Sequence, residues 1–167
     1  IPLYNDLYNF MATIRKECFG KANLSQGDLA AWCENFSVVP ESEDEPFVVD
    51  YRMYFDDDIV DERPIDYEDG DIFRFFVSTK RLLKFASHID EHVIQTDATY
   101  KLVWQGYPVL LVCVSDANRR CTPLGIACCS HERHLDFAFL FNSLQVGRNK
   151  CNINPIKPSG PMADASD

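Results

Sequence analysis

HVIQTDATYKLVWQGYPVLLVCVSDANRRCTPLGIACCS, residues 92–130, consists of three apolar segments separated by two short breaks, and its reading decides the fold. The segments 92–104, 108–115 and 121–130 are rich in β-branched and aromatic residues, as strands are. Gly106 and Pro108 break the first pair, and residues 116–120 turn the second. Connections this short suit antiparallel hairpins, because parallel neighbours need a crossover of a dozen or more residues. VLLVCVS, residues 109–115, is almost wholly apolar and therefore belongs in the middle of a sheet, covered on both faces. Its apolar run, Val109 to Val114, is far shorter than the ~20 residues of a membrane span.

Working outward, a helix is predicted from about Glu132 to Val146. Its Leu135, Phe139 and Leu144, with Phe137 and Leu140, form an apolar stripe for packing on a sheet, and Ser130 and Glu132 are expected to cap it. A loop rich in Pro, Asn and Gly, residues 147–161, then leads into MADASD and a short fourth strand. Upstream, IFRFFVS (72–78) reads as a strand and Ser78 can cap a helix from Thr79 to about Ser87. Residues 1–71 read as a lead-in. Leu3, Leu7, Phe10, Met11 and Ile14 recur at helical spacing, and Ser25 to Asp28 form a capping box before LAAWCENF. A strand over 46–55 and an acidic loop over 56–71 follow. The fold class is α/β of the α+β kind: a mixed sheet with three antiparallel strands, a helix and a fourth strand, over 72–167.

The 167 residues are 46% apolar and 13% aromatic, which suits one compact domain, with or without a small satellite, and excludes wholesale disorder. The net charge of −10 is concentrated in one stretch. Between Glu41 and Asp71 there are 14 acids and two bases, so the rest of the chain sums to +2 and can face a polyanion. Seven scattered cysteines without a C-x-x-C pair, several among apolar residues, read as free thiols of a reducing compartment, cytosol or nucleus. The chain begins at Ile1 with no secretory leader, and is expected to be an excised piece of something longer.

Period two along HVIQTDATYKLVW puts Asp97 mid-strand on one face with Val93, Gln95, Thr99 and Lys101. That face is either solvated or functional; beside a fully apolar neighbour strand, a carboxylate needs a partner. Asp164, three residues before the chain's last residue, is either a solvated acid or a second functional carboxylate at the exit of the last strand. Cys129, His131 and His134 are a weaker candidate for zinc, with no fourth ligand in reach of the pattern. DYEDGD has oxygen donors for calcium, but Gly70 is out of place for an EF-hand loop counted from Asp66. Phosphate-binding glycine motifs, the nucleophile elbow G-x-S-x-G and H-E-x-x-H are absent from the sequence.

FFVSTKRLL, TDATYKLVWQGYPVLLVCVSDANRR, PLGIACCSHE, DFAFLFNSL and MADASD, in this order over residues 72–167, resemble the transposase domain of Mutator-like elements. The resemblance implies a ribonuclease-H-like fold with a DDE-type metal site that cleaves and joins DNA. Its first catalytic acid falls on Asp97 and its second on Asp164, and together they would hold Mg2+ or Mn2+ in a two-metal site. The two acids are expected within roughly 4–7 Å of each other. The third acid of the family, a helical Glu downstream, has no counterpart before Asp167, so the C-terminal part of the fold is expected to be missing and the isolated chain inactive. Glu132 or Asp136, on the helix after the third strand, could supplement the site. Cys113 departs from the family's usual Gly, and RRCTP replaces a His- and Phe-rich hairpin.

Arg119, Arg120, Arg133, Arg148 and Lys150 are candidates for phosphate contacts, with ordinary surface charge as the alternative. The expected partner is DNA in the nucleus, with no membrane, and an unfinished sheet edge favours self-association into a homo-oligomer. The rival to the enzyme is a domesticated, non-catalytic derivative that binds DNA or protein, with the acidic stretch as its partner surface.

Overall fold

The computed structural model describes residues 26–54, 72–85, 93–100, 106–115, 120–153 and 161–163. Its elements run α1 (Gln26–Asn35), β1 (Phe47–Tyr54), β2 (Ile72–Ser78), α2 (Lys80–Phe85), β3 (Val93–Thr99), β4 (Val109–Ser115), β5 (Cys121–Cys129), α3 (His134–Lys150) and β6 (Pro161–Ala163). The chain divides into two compact units, residues 1–32 and 33–167. The first helix expected from the sequence lies outside the described residues, as do the acidic loop 56–71 and residues 101–105, 116–119, 154–160 and 164–167.

The two hairpins form where the short breaks demand them. β3 pairs antiparallel with β4 from Val93↔Ser115 to Thr99↔Val109, and β4 pairs antiparallel with β5 from Val109↔Cys128 to Ser115↔Cys121. Gly106, before β4, takes a φ of +74°, a left-handed conformation that costs glycine nothing. β2 adds to the other side of β5 and β1 adds to β2, both antiparallel. The last strand is different: β6 runs parallel to β3, with Ile94↔Pro161 and Thr96↔Ala163. A parallel return needs a long crossover, and the 17-residue α3 lies within it. The sheet order is β1-β2-β5-β4-β3-β6, a mixed α+β arrangement with five antiparallel strands and a parallel sixth.

The core lies on one face of this sheet. Leu110, Val112 and Val114 of β4, Leu124 and Ala127 of β5 and Phe76 of β2 are buried in one cluster with Leu83 of α2 and Phe139, Leu140 and Leu144 of α3. Each Val, Leu or Phe side chain among them contributes about 1.5–3 kcal/mol on burial. Two glycines permit close approach. A Cβ at Gly125 would lie 2.4 Å from Phe76 Cζ and 2.7 Å from the Val77 carbonyl oxygen; one at Gly147 would lie 2.7 Å from Val49 Cγ1.

Two expectations are corrected. The helix cap is not Ser130 or Glu132. α3 starts at His134, and the Arg133 N–H donates to Asp136 Oδ2 at 2.8 Å, so the acid three residues into the helix satisfies the exposed amide. Ser130 instead lengthens the sheet: its N–H donates to the Phe73 carbonyl and its hydroxyl accepts from the Phe73 N–H. The cysteines are not all free thiols either. Cys33, Cys128, Cys129 and Cys151 are free, but Cys113 and Cys121 form a disulfide. The hairpin register explains it, since Cys121 pairs with Ser115 and Cys113 with Pro123, which leaves the two cysteines diagonal neighbours with Cα atoms 5.7 Å apart.

Candidate active site

β3 follows the alternation read from its sequence. Ile94 is buried in the core, Ala98 packs against it, and Gln95 and Asp97 are exposed on the opposite face. Paired residues share a face, so Asp97 stands in a row with its partner Leu111 and, beyond it, Ile126, on the side away from α3. Its Oδ1 accepts the Ala98 N–H at 2.9 Å. β6 ends its pairing at Ala163, opposite Thr96, the residue before Asp97. Asp164 lies outside the described residues, and so its separation from Asp97 does too.

The exit of β3 is tied to the start of α3. The Tyr100 hydroxyl donates to Glu132 Oε2, and this bond to a carboxylate holds the phenol proton more tightly than usual. Tyr100 is three residues past Asp97, about 10 Å along an extended strand, so Glu132 is anchored at the same end of the sheet as Asp97. The sequence reading named Glu132 but not Tyr100. The available signal was an aromatic hydroxyl following a mid-strand acid, which is too common to single out.

Asp136 has a different position. It is fully buried, and its Oδ1 accepts from Nε of Arg74 on β2 at 2.5 Å while Oδ2 takes the Arg133 amide. Both oxygens are therefore engaged inside the fold. Beside this pair the Cys129 thiol is pushed up, chiefly by burial and then by the Asp136 charge.

The candidate bases are scattered. Arg119 lies outside the described residues, and Arg120 is exposed at the start of β5, the end of the sheet opposite Glu132. Arg133 is half-buried at the start of α3. Arg148 and Lys150 sit at the far end of that helix, roughly 20 Å from its start. Arg148 is fully buried, which holds its guanidinium below its ordinary pKa, and its three side-chain nitrogens have no hydrogen-bond partner among the described residues. A phosphate outside the protein does not reach it there. Lys150 donates to the Val49 carbonyl at 2.8 Å.

Asp97 and Glu132 offer carboxylate oxygens, the donor chemistry of Mg2+ or Mn2+. Among the described residues no three His, Cys, Asp or Glu side chains gather into a metal-holding group, and that includes Cys129, His131 and His134. No described helix is long and apolar enough to cross a membrane. No known protein family, curated protein or solved structure matches the chain.

Proposed function

We propose that residues 72–167 belong to a ribonuclease-H-like catalytic domain of the Mutator-like transposase type, which cleaves and joins DNA with Mg2+ or Mn2+. The observation that carries this reading is the strand order β5-β4-β3-β6: three antiparallel strands, a crossover containing α3, and a parallel fourth strand laid against the strand that bears an exposed Asp97. In this reading Asp97 and Asp164 hold the metal and Glu132, fixed by Tyr100, is the auxiliary acid. When bound, the metal pair would supply an activated water or 3′ hydroxyl and a charge sink for the leaving oxygen. The carboxylates orient that pair, and their mutual repulsion is what the cations relieve. DNA as substrate makes the nucleus the expected compartment, and self-association through the β6 edge fits a synaptic assembly.

The test is manganese-dependent DNA cleavage by the protein that carries this domain. Asp97→Asn and, separately, Asp164→Asn are expected to abolish cleavage, while the circular dichroism spectrum stays unchanged for Asp97→Asn because that side chain is exposed. Full cleavage by either variant overturns the assignment. A wild-type protein that binds DNA but does not cleave it with either cation favours the non-catalytic derivative.

A further inference from the structure

The three bases of α2 all turn to one acidic loop. Arg81 makes two bonds to the Asp44 carboxylate, Lys84 bonds Glu43, and the Arg81 N–H donates to the Glu43 carbonyl at 2.9 Å. Lys80 differs from its neighbours: its ammonium donates to the carbonyl of Glu41, at 2.6 Å, and not to a carboxylate. The residue that follows that carbonyl is Ser42, exposed in the bend 41–44. Ser42 is followed by Glu43, Asp44 and Glu45 and preceded by Glu41; no other Ser or Thr in the chain is followed by three consecutive acids.

We infer that Ser42 is a phosphorylation site for a serine kinase whose substrate groove is lined with basic residues, and that Lys80 captures the phosphate. An exposed hydroxyl in a bend can enter a kinase cleft without unfolding the sheet, and acids at the three following positions complement a basic groove. In the step, Ser42 Oγ attacks the γ-phosphorus of ATP and the bond to the bridging β,γ-oxygen breaks. ADP leaves and the hydroxyl proton passes to the kinase's catalytic carboxylate. Arg81 and Lys84 are already matched by Asp44 and Glu43, so the added dianion falls to Lys80, whose ammonium lies one peptide unit from Ser42. The modification would tighten the loop on α2 and withdraw that helix's positive charge from any other polyanion.

The experiment incubates the full chain with ATP and a kinase of the acid-directed class and maps phosphate by mass spectrometry. Wild type is expected to take up about one phosphate at Ser42, with Ser42→Ala lowering incorporation about tenfold. Phosphorylated wild type is expected to melt about 1–2 °C higher than unmodified protein, and Lys80→Met to lose that gain while still accepting the phosphate. Phosphate on another residue, or no incorporation while a peptide spanning 37–48 is modified, overturns the site. An equal thermal gain in Lys80→Met overturns the role of Lys80.

Discussion

Replacing Asp136 with Asn removes the charge that the buried Arg74 guanidinium faces while keeping the shape of the side chain. The two side chains are 7% and 0% exposed, so water does not screen the loss. Leaving one partner of a buried pair uncompensated costs about 3–5 kcal/mol. Against a total stability of about 5–15 kcal/mol, this is a large fraction. With a urea m-value of about 2 kcal/mol/M, the unfolding midpoint should fall by about 1.5–2.5 M. The cap adds little to the difference, because an Asn oxygen can still accept the Arg133 amide. The double variant Arg74→Met with Asp136→Leu leaves no orphan charge, and it is expected to be more stable than Asp136→Asn alone. Urea denaturation of Arg74→Met, Asp136→Leu and their double variant closes a cycle that gives the coupling. A loss below about 1 kcal/mol for Asp136→Asn, the range of a surface pair, would refute the reasoning. The same variant separates two roles for this acid, since a metal ligand would lose cleavage with little change in midpoint, and a structural acid loses stability first.

Gly125→Ala should destabilise by about 1–3 kcal/mol, read by urea denaturation, because the new methyl would sit 2.7 Å from the Val77 carbonyl, and backbone in a paired strand does not yield as a side chain can. Acid should loosen the loop 41–45 from α2. The carboxyl of Glu43 is held below the usual range by its hydrogen bond to Lys84, and that of Asp44 by its bond to Arg81. A depressed folded pKa means that the contribution is fully present above the unfolded value, about 4, and is lost as pH falls through the folded value. Amide protection of residues 41–45, taken relative to the intrinsic exchange rate at each pH, should therefore fall below about pH 4 while β4 stays protected; unchanged protection in the loop would contradict the pairing.

Much of the sheet was legible because its signals are local. β4 is apolar along nearly its whole length and is central; β3 alternates, and Asp97 is on the exposed face that period two assigns. Short breaks fixed the two hairpins, and β2, read as IFRFFVS, has those bounds. What was not legible is non-local. Nothing in the strings of β2 and β5 says that they pair across the chain, so the Phe73 to Ser130 connection was invisible and Ser130 was read as a cap. The sequence offers Asp136 as an acid that could supplement the site; only the packing of α3 on the sheet brings Arg74 beneath it. The disulfide depends on register and on a shift between Val112 and Cys113. For the site, the structure gives positions and not roles: Asp97 is exposed on β3, Glu132 is bonded by Tyr100, and Asp164 falls outside the described residues.

Charge is divided in space as well as along the chain, and this bears on where a polyanion can approach. At one end of the sheet Arg81 and Lys84 of α2 are paired with Asp44 and Glu43 at the surface, so part of the acidic stretch that dominates the net charge is matched by bases of the same domain. Lys150, at the same end, points its ammonium at the Val49 carbonyl. The other end carries Asp97, Glu132 and Tyr100, which are exposed, with Arg133 at the helix start. Bare carboxylates at this end of the sheet repel a phosphodiester, and a divalent cation bound beside them removes that repulsion. DNA binding by the proposed domain should therefore depend on Mg2+ or Mn2+ at the β3 exit and not merely on ionic strength, and Asp97→Asn, by removing one negative charge, should weaken that dependence even where cleavage is already lost.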